Sequence, residues 1–202
     1  MATILTMAIM FIAAGIDEMI VLIFLFAHAK SKRQERQIYI GQQLGMTGIL
    51  IISLIALYGI SFITGKWTGL FGLLPIAIGI MALFEGDDEE EERERILHKT
   101  SIFSNLTLRV FVIALAGGAE EVAIMVPYFT TLTSYQIILA SITFFVMVLI
   151  WSGLCHLLAS SSKVYTFVNK YKRIIIPLVF IGIGLHILLE NDTIETILDL
   201  FL

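Results

Sequence analysis

Cysteine is almost absent: Cys155 is the only one in 202 residues. A lone thiol makes no intramolecular disulfide, no Cys-x-x-Cys redox pair and no cysteine-based zinc cage, which excludes membrane thiol-transfer proteins. Charge is scarce as well. Asp, Glu, Lys and Arg make up 15% of the chain, against about a quarter in ordinary soluble domains. No basic face is left for a nucleic acid. No Gly-x-x-x-x-Gly-Lys-Ser/Thr loop occurs, so nothing binds a nucleotide's phosphates in that way. Trp151-Ser152-Gly153 follows Leu149-Ile150 and lacks the first glycine of a rhomboid-like Gly-x-Ser-Gly run. No catalytic site and no resident cofactor are expected.

What remains is apolar: 58% of residues, with a mean hydropathy of +0.93. A chain of this size could not hide that surface in a soluble core, so it reads as a polytopic membrane protein. A spanning helix needs about 20 mostly apolar residues. Six candidates meet that, at about 3–28, 38–61, 69–85, 107–131, 136–159 and 174–190. No basic segment precedes the first run, so no cleaved signal peptide is expected.

The basic residues orient the spans. Lys30, Lys32, Arg33 and Arg36 fall in the first loop, Arg93, Arg95, Lys99 and Arg109 in the third, and Lys163, Lys170, Lys172 and Arg173 in the fifth. Only Lys66 lies in an even-numbered loop. Basic loops stay cytoplasmic, so both termini are expected outside.

The chain also repeats itself. Ala13-Ala14-Gly15-Ile16-Asp17-Glu18 resembles Ala116-Gly117-Gly118-Ala119-Glu120-Glu121 at an offset of 103 residues. Gly79-x-x-x-Leu83-x-Glu85-x-Asp87 resembles Gly184-x-x-x-Leu188-x-Glu190-x-Asp192 at an offset of 105. With three spans per half, the halves enter the membrane from opposite sides, an inverted-repeat transporter plan whose site lies where the repeats meet. The expected fold class is therefore an all-α integral membrane protein of six transmembrane helices in two inverted three-helix repeats. The first repeat covers 1–86. A charged cytoplasmic linker covers 87–105, and the second repeat, with a short amphipathic tail from Thr193, covers 106–202.

Asp17, Glu18, Glu120 and Glu121 fall in the middle of spans one and four. A carboxylate at the bilayer centre costs about 2.5–3.5 kcal/mol on insertion scales. Four left ionised and unpaired would cost on the order of 10 kcal/mol, as much as a whole domain's stability. Neither span offers Lys or Arg beside them. They are protonated, face water, or bind a cation from outside. One such acid is commonly just hydrogen-bonded to a neighbouring helix; two matched pairs favour a cation. The glycines before each pair let helices approach or open, and Pro127 is a second place where span four could break. Gln42, in Gly41-Gln42-Gln43-Leu44-Gly45, offers an amide oxygen to the same ion or a plain helix-to-helix hydrogen bond. His186 and Glu190, at i and i+4, read as an interfacial hydrogen bond before a peripheral metal pair. His28 and His156 read as interfacial side chains. Residues 85–94 are acidic in eight of ten positions, a solvated linker or, more sharply, a funnel for divalent cations. The Asn105-Leu106-Thr107 sequon falls on the cytoplasmic side and is not expected to carry a glycan.

These residues resemble the cadmium-resistance transporters of the lysine-exporter superfamily over nearly the whole chain. The resemblance rests on Gly15-Ile16-Asp17-Glu18 with Val21-Leu22 and Phe24, Tyr39-Ile40-Gly41-Gln42-Gln43-Leu44-Gly45, Leu74-Pro75 with Gly79-Ile80, Gly118-Ala119-Glu120-Glu121 with Pro127 and Phe129, and Ile176-Pro177 with Gly182-Ile183. It implies a six-helix secondary exporter of divalent heavy-metal ions in a bacterial plasma membrane. Relatives commonly carry Asp-Asp or Asp-Asn in the first pair and Asp-Asn in the second. The carboxylate-rich set here, Asp17, Glu18, Glu120 and Glu121 with Gln42, suits hard Mg²⁺, Ca²⁺ or Mn²⁺ at least as well as soft Cd²⁺.

The expected partners are a divalent metal ion as substrate, protons and the lipid bilayer; self-association into a homo-oligomer stays open. Clustered carboxylates vacated by a divalent ion favour taking up protons, which points to metal–proton antiport. Two alternatives remain: an exporter of a cationic amino acid or other small organic cation, and a membrane scaffold or sensor that binds partners through the acidic loop. The first would want aromatics beside the acid pairs, and the sequence places none there.

Overall fold

The structure is a computed structural model that describes residues 1–60, 73–84, 105–159, 177–178, 181–185 and 188–189. Among the described residues every regular element is a helix: α1 (Ala2–Ala14), α2 (Ile16–Ala27), α3 (Lys32–Ile60), α4 (Leu73–Phe84), α5 (Leu106–Gly117), α6 (Ala119–Thr130) and α7 (Ser134–Leu158). The pieces of the sixth expected span that are described are helical too. Residues 85–94, His186, Glu190 and the tail from Thr193 lie outside the described residues, as does the side chain of Asp17.

Two expected spans are not single helices. The first is α1 and α2, meeting at Gly15 with a bend of 66°, and the fourth is α5 and α6, meeting at Gly118 with a bend of 57°. Glycine suits both corners for steric reasons. A Cβ on Gly15 would stand 2.9 Å from the Phe11 carbonyl oxygen and 3.2 Å from Trp151 Nε1, and one on Gly118 would collide with the end of Ile49. Pro127 does not break the chain: it is buried inside α6, and the bend lies nine residues earlier, at Gly118. The sequon asparagine has a structural role, its side chain accepting the Thr107 amide at 3.0 Å to cap α5.

α3 and α7 run unbroken for 29 and 25 residues, about 43 and 37 Å at 1.5 Å per residue. α3 begins six residues before the apolar run because Lys32-Arg33-Gln34-Glu35-Arg36-Gln37 are good helix formers that extend it into the polar boundary. α7 starts at a capping box, with Gln136 Oε1 accepting from the Thr133 amide at 2.8 Å. These two are long and apolar enough to cross a membrane alone, and the described candidates become four if each bent pair is one span. Their outer surface is greasy: Ile55, Ile138, Ile142, Ile150 and Leu157 are exposed. Exposed apolar side chains along a whole helix mark a lipid-facing surface.

Small residues set the interior. Gly41, Gly45 and Gly48 on α3 press against α5, where a Cβ on Gly41 would lie 2.5 Å from the Thr107 carbonyl oxygen and one on Gly45 2.5 Å from Ala114 Cβ. Partners advance together along both helices, from Gly41 with Thr107 to Ile49 with Gly118, so α3 and α5 are parallel. The first broken pair runs alongside α7 in the same sense. Phe11 meets Phe144 edge-on at 5.3 Å, Trp151 Nε1 donates to the Gly15 carbonyl at 3.2 Å, and Phe26 stacks on His156 at 4.7 Å. At the opposite end Tyr128 Oη donates to the Thr3 carbonyl at 3.4 Å, which ties α6 to α1 head to tail.

Candidate functional site

Each acid pair sits in the first turn of the helix that follows a break: Asp17 and Glu18 open α2, and Glu120 and Glu121 open α6. Carboxylates in a first turn are favoured by the helix dipole, so local electrostatics helps to place the acids at both corners. Both acid-bearing helices pack on α3.

Two contacts give the level of each corner. Glu18 interacts with the side chain of Gln42, and Gly118 sits against Ile49. Gln42 and Ile49 are seven residues apart, two turns along one face of α3. Glu121 is 4% exposed and Gln42 2%; Glu18 and Glu120 are half-buried. Among the described residues no three His, Cys, Asp or Glu side chains converge closely enough to share one metal ion. Gln42 is a sequence-selected residue that the structure places beside Glu18.

Polar atoms without partners occur at the Glu18–Gln42 level of α3. Glu18 Oε2, Gln42 Nε2 and both amide atoms of Gln43 are buried and make no hydrogen bond. Glu18 and Gln42 face each other, yet neither of these two atoms completes a hydrogen bond with the other. Buried polar atoms are almost always satisfied, and leaving one unsatisfied costs about 1–3 kcal/mol. A group of them beside a buried carboxylate is what an interior prepared for water or an ion looks like.

Two contributors have no counterpart among the residues the sequence singles out for the site. Trp151 donates its indole N–H to the Gly15 carbonyl, two residues before Asp17, so an aromatic from a distant helix stands at this corner. Cys155 is fully buried and lies within electrostatic reach of both Glu18 and Tyr39. No sequence signal marked either, because both come from α7, more than a hundred residues away. His156, read as interfacial, is held by Tyr39 and faces Glu35. His28 keeps its interfacial character, exposed and bonded through Nδ1 to the Phe24 carbonyl oxygen at 2.8 Å.

No curated protein and no solved structure matches the chain. Residues 11–200 match the family described as cadmium resistance transporter, and that stretch takes in both corners, all four acids and the apolar helices around them. By this match the protein belongs to the cadmium resistance transporter family.

Proposed function

We propose that the chain exports divalent metal ions by alternating access of two inverted repeats, with Asp17, Glu18, Glu120, Glu121 and Gln42 forming the ion's ligand set and protons moving in exchange. The observation that carries this is the paired break: two helices bent at equivalent glycines, each followed directly by acids, both against one face of α3. Discontinuous helices are where many secondary transporters build their sites, since a helix end exposes polar backbone inside the membrane.

The directions of the helices support the span count. The first broken pair runs the length of α7 from Phe11–Phe144 to Phe26–His156, and the second runs from Thr107, beside Gly41, to Tyr128, beside Thr3; these courses favour reading each pair as one bent span. Expected even spans two and four are parallel, and odd spans one and five are parallel. That alternation brings Lys32, Arg33, Arg36 and Arg109 to one end, which is the cytoplasmic face by the positive-inside rule. A bacterial plasma membrane is the setting in which this fits.

With the ion gone, protonation is the available neutralisation of the acids at the two corners. About two protons per divalent ion would balance the charge. The test is metal flux with internal pH recording in proteoliposomes. We expect Asp17→Asn and Glu120→Gln each to abolish flux and metal to drive an internal pH change in the parent. Undiminished flux in both variants refutes the ligand set. Flux without proton movement, and without response to an imposed pH gradient, refutes antiport. Removing residues 87–92 should leave flux intact; a scaffold that works through the acidic loop would lose its partner instead.

A further inference from the structure

The basic end of the bundle holds a second polar constellation, apart from the acid pairs. His156, near the C-terminal end of α7, stands with Nε2 3.8 Å from Glu35 Oε2 on the first turn of α3. Its other nitrogen, Nδ1, is 3.1 Å from Tyr39 Oη. The ring is fixed on both sides, stacked on Phe26 at 4.7 Å and 22°, with Tyr39 edge-on at 5.7 Å and 78°. Glu35 and Tyr39 are four residues apart and therefore on one face of α3.

A separation of 3.8 Å is too long for a hydrogen bond and close to that of two ligands on one ion. With bonds of about 2.0–2.2 Å, tetrahedral N and O ligands lie roughly 3.3–3.6 Å apart. A few tenths of an ångström of side-chain movement close the difference. The second ring nitrogen is within hydrogen-bond distance of Tyr39 Oη; when Nε2 binds an ion, Nδ1–H donates to that oxygen, the anchoring that metal-binding histidines generally have. The side chains of His156 and Glu35 are 38% and 33% exposed, so an ion can reach them from solvent.

We propose that His156 and Glu35 form a divalent-metal site at the cytoplasmic end of α3 and α7, oriented by Tyr39, which loads the transport path; its loading role, though not its existence, rests on the export reading. No third His, Cys, Asp or Glu joins the two among the described residues, so the remaining positions go to water. Two protein ligands make a site of fast exchange, as a loading station needs. An imidazole–carboxylate pair favours Zn²⁺-like ions over Mg²⁺ or Ca²⁺, which gives the all-oxygen acid set a selectivity step it lacks.

The test is equilibrium Zn²⁺ binding and zinc X-ray absorption on the purified full-length chain in detergent. In an Asp17→Asn/Glu120→Gln chain we expect one Zn²⁺ to remain bound with imidazole scattering. Adding His156→Gln or Glu35→Gln should remove it, and Tyr39→Phe should weaken it about 10–100-fold. If the acid double variant does not fold, loss of imidazole scattering in His156→Gln alone identifies the same site. In proteoliposomes His156→Gln should raise the KM for metal more than it lowers kcat. Unchanged Zn²⁺ stoichiometry, or imidazole scattering that persists in His156→Gln, reduces the trio to an ion pair with a hydrogen bond and overturns the proposal. Full flux in Asp17→Asn and Glu120→Gln would overturn the export ligands instead and leave this site standing.

Discussion

Gly45→Ala tests whether close packing of α3 on α5 holds the two corners in place. The added methyl would stand 2.5 Å from Ala114 Cβ and 3.1 Å from the Phe111 carbonyl oxygen. Carbon atoms pack best at about 3.5–4.0 Å, so the helices must part by roughly 1 Å at this point. Forcing a methyl into a packed interface costs about 1–3 kcal/mol, and an overlap of roughly 1 Å belongs in the upper half of that range, about 2–3 kcal/mol. The better helix propensity of alanine returns about 0.5–1 kcal/mol, leaving a net loss of about 1–2.5 kcal/mol. For a chain of this length, 1 kcal/mol moves the melting temperature by about 2–4 °C. A fall of about 2–10 °C in detergent is therefore expected. The decisive variant is Gly45→Ala/Ala114→Gly, in which the methyl moves from one helix to the other. Ala114 Cα is already 3.6 Å from the new Cβ, an ordinary contact, and only the carbonyl of Phe111 stays tight. The double variant should regain at least half of the lost stability and of the metal flux. If Gly45→Ala melts with the parent, or if Ala114→Gly rescues nothing, the glycine stripe does not set the helix separation.

Gln42→Met replaces a buried, incompletely bonded amide by an apolar chain of similar shape. The melting temperature should not fall while metal flux does, and a destabilised but active protein would contradict the assignment. Trp151→Phe removes the indole bond to the Gly15 carbonyl, which still accepts the Met19 amide at 2.9 Å. The expected loss is only about 0.5–1.5 kcal/mol, with a larger proportional loss of flux as the corner loosens; an effect on stability alone would make Trp151 structural. Asn105→Ala should cost about 1 kcal/mol by uncapping α5 and Asn105→Asp should restore it, both read by thermal melting; equal loss in the two would refute the cap.

The helical membrane class and the family were legible in the sequence, as were up to four of the candidate spans, because each follows from a local quantity; orientation and the acid pairs are likewise read from local signals and stay proposals. Insertion free energy sums residue by residue along a segment, the basic loops carry their own signal, and a carboxylate in an apolar run is conspicuous wherever the helix then packs. The family could be named from the same residues. Tertiary structure alone decided the rest. That Gly15 and Gly118, and not Pro127, are the corners depends on what presses on them: Trp151 and Ile49, 136 and 69 residues away along the chain. That Gln42 stands beside Glu18 depends on the register between α2 and α3. The pairing of His156 with Glu35, 121 residues apart, could not be foreseen, whereas His186 and Glu190, four apart, suggested themselves at once. Spacing along a chain reports neighbours within one helix. Which faces of different helices meet is set by the close approach that glycines permit and by side-chain fit across the bundle, and both exist only once the chain has folded.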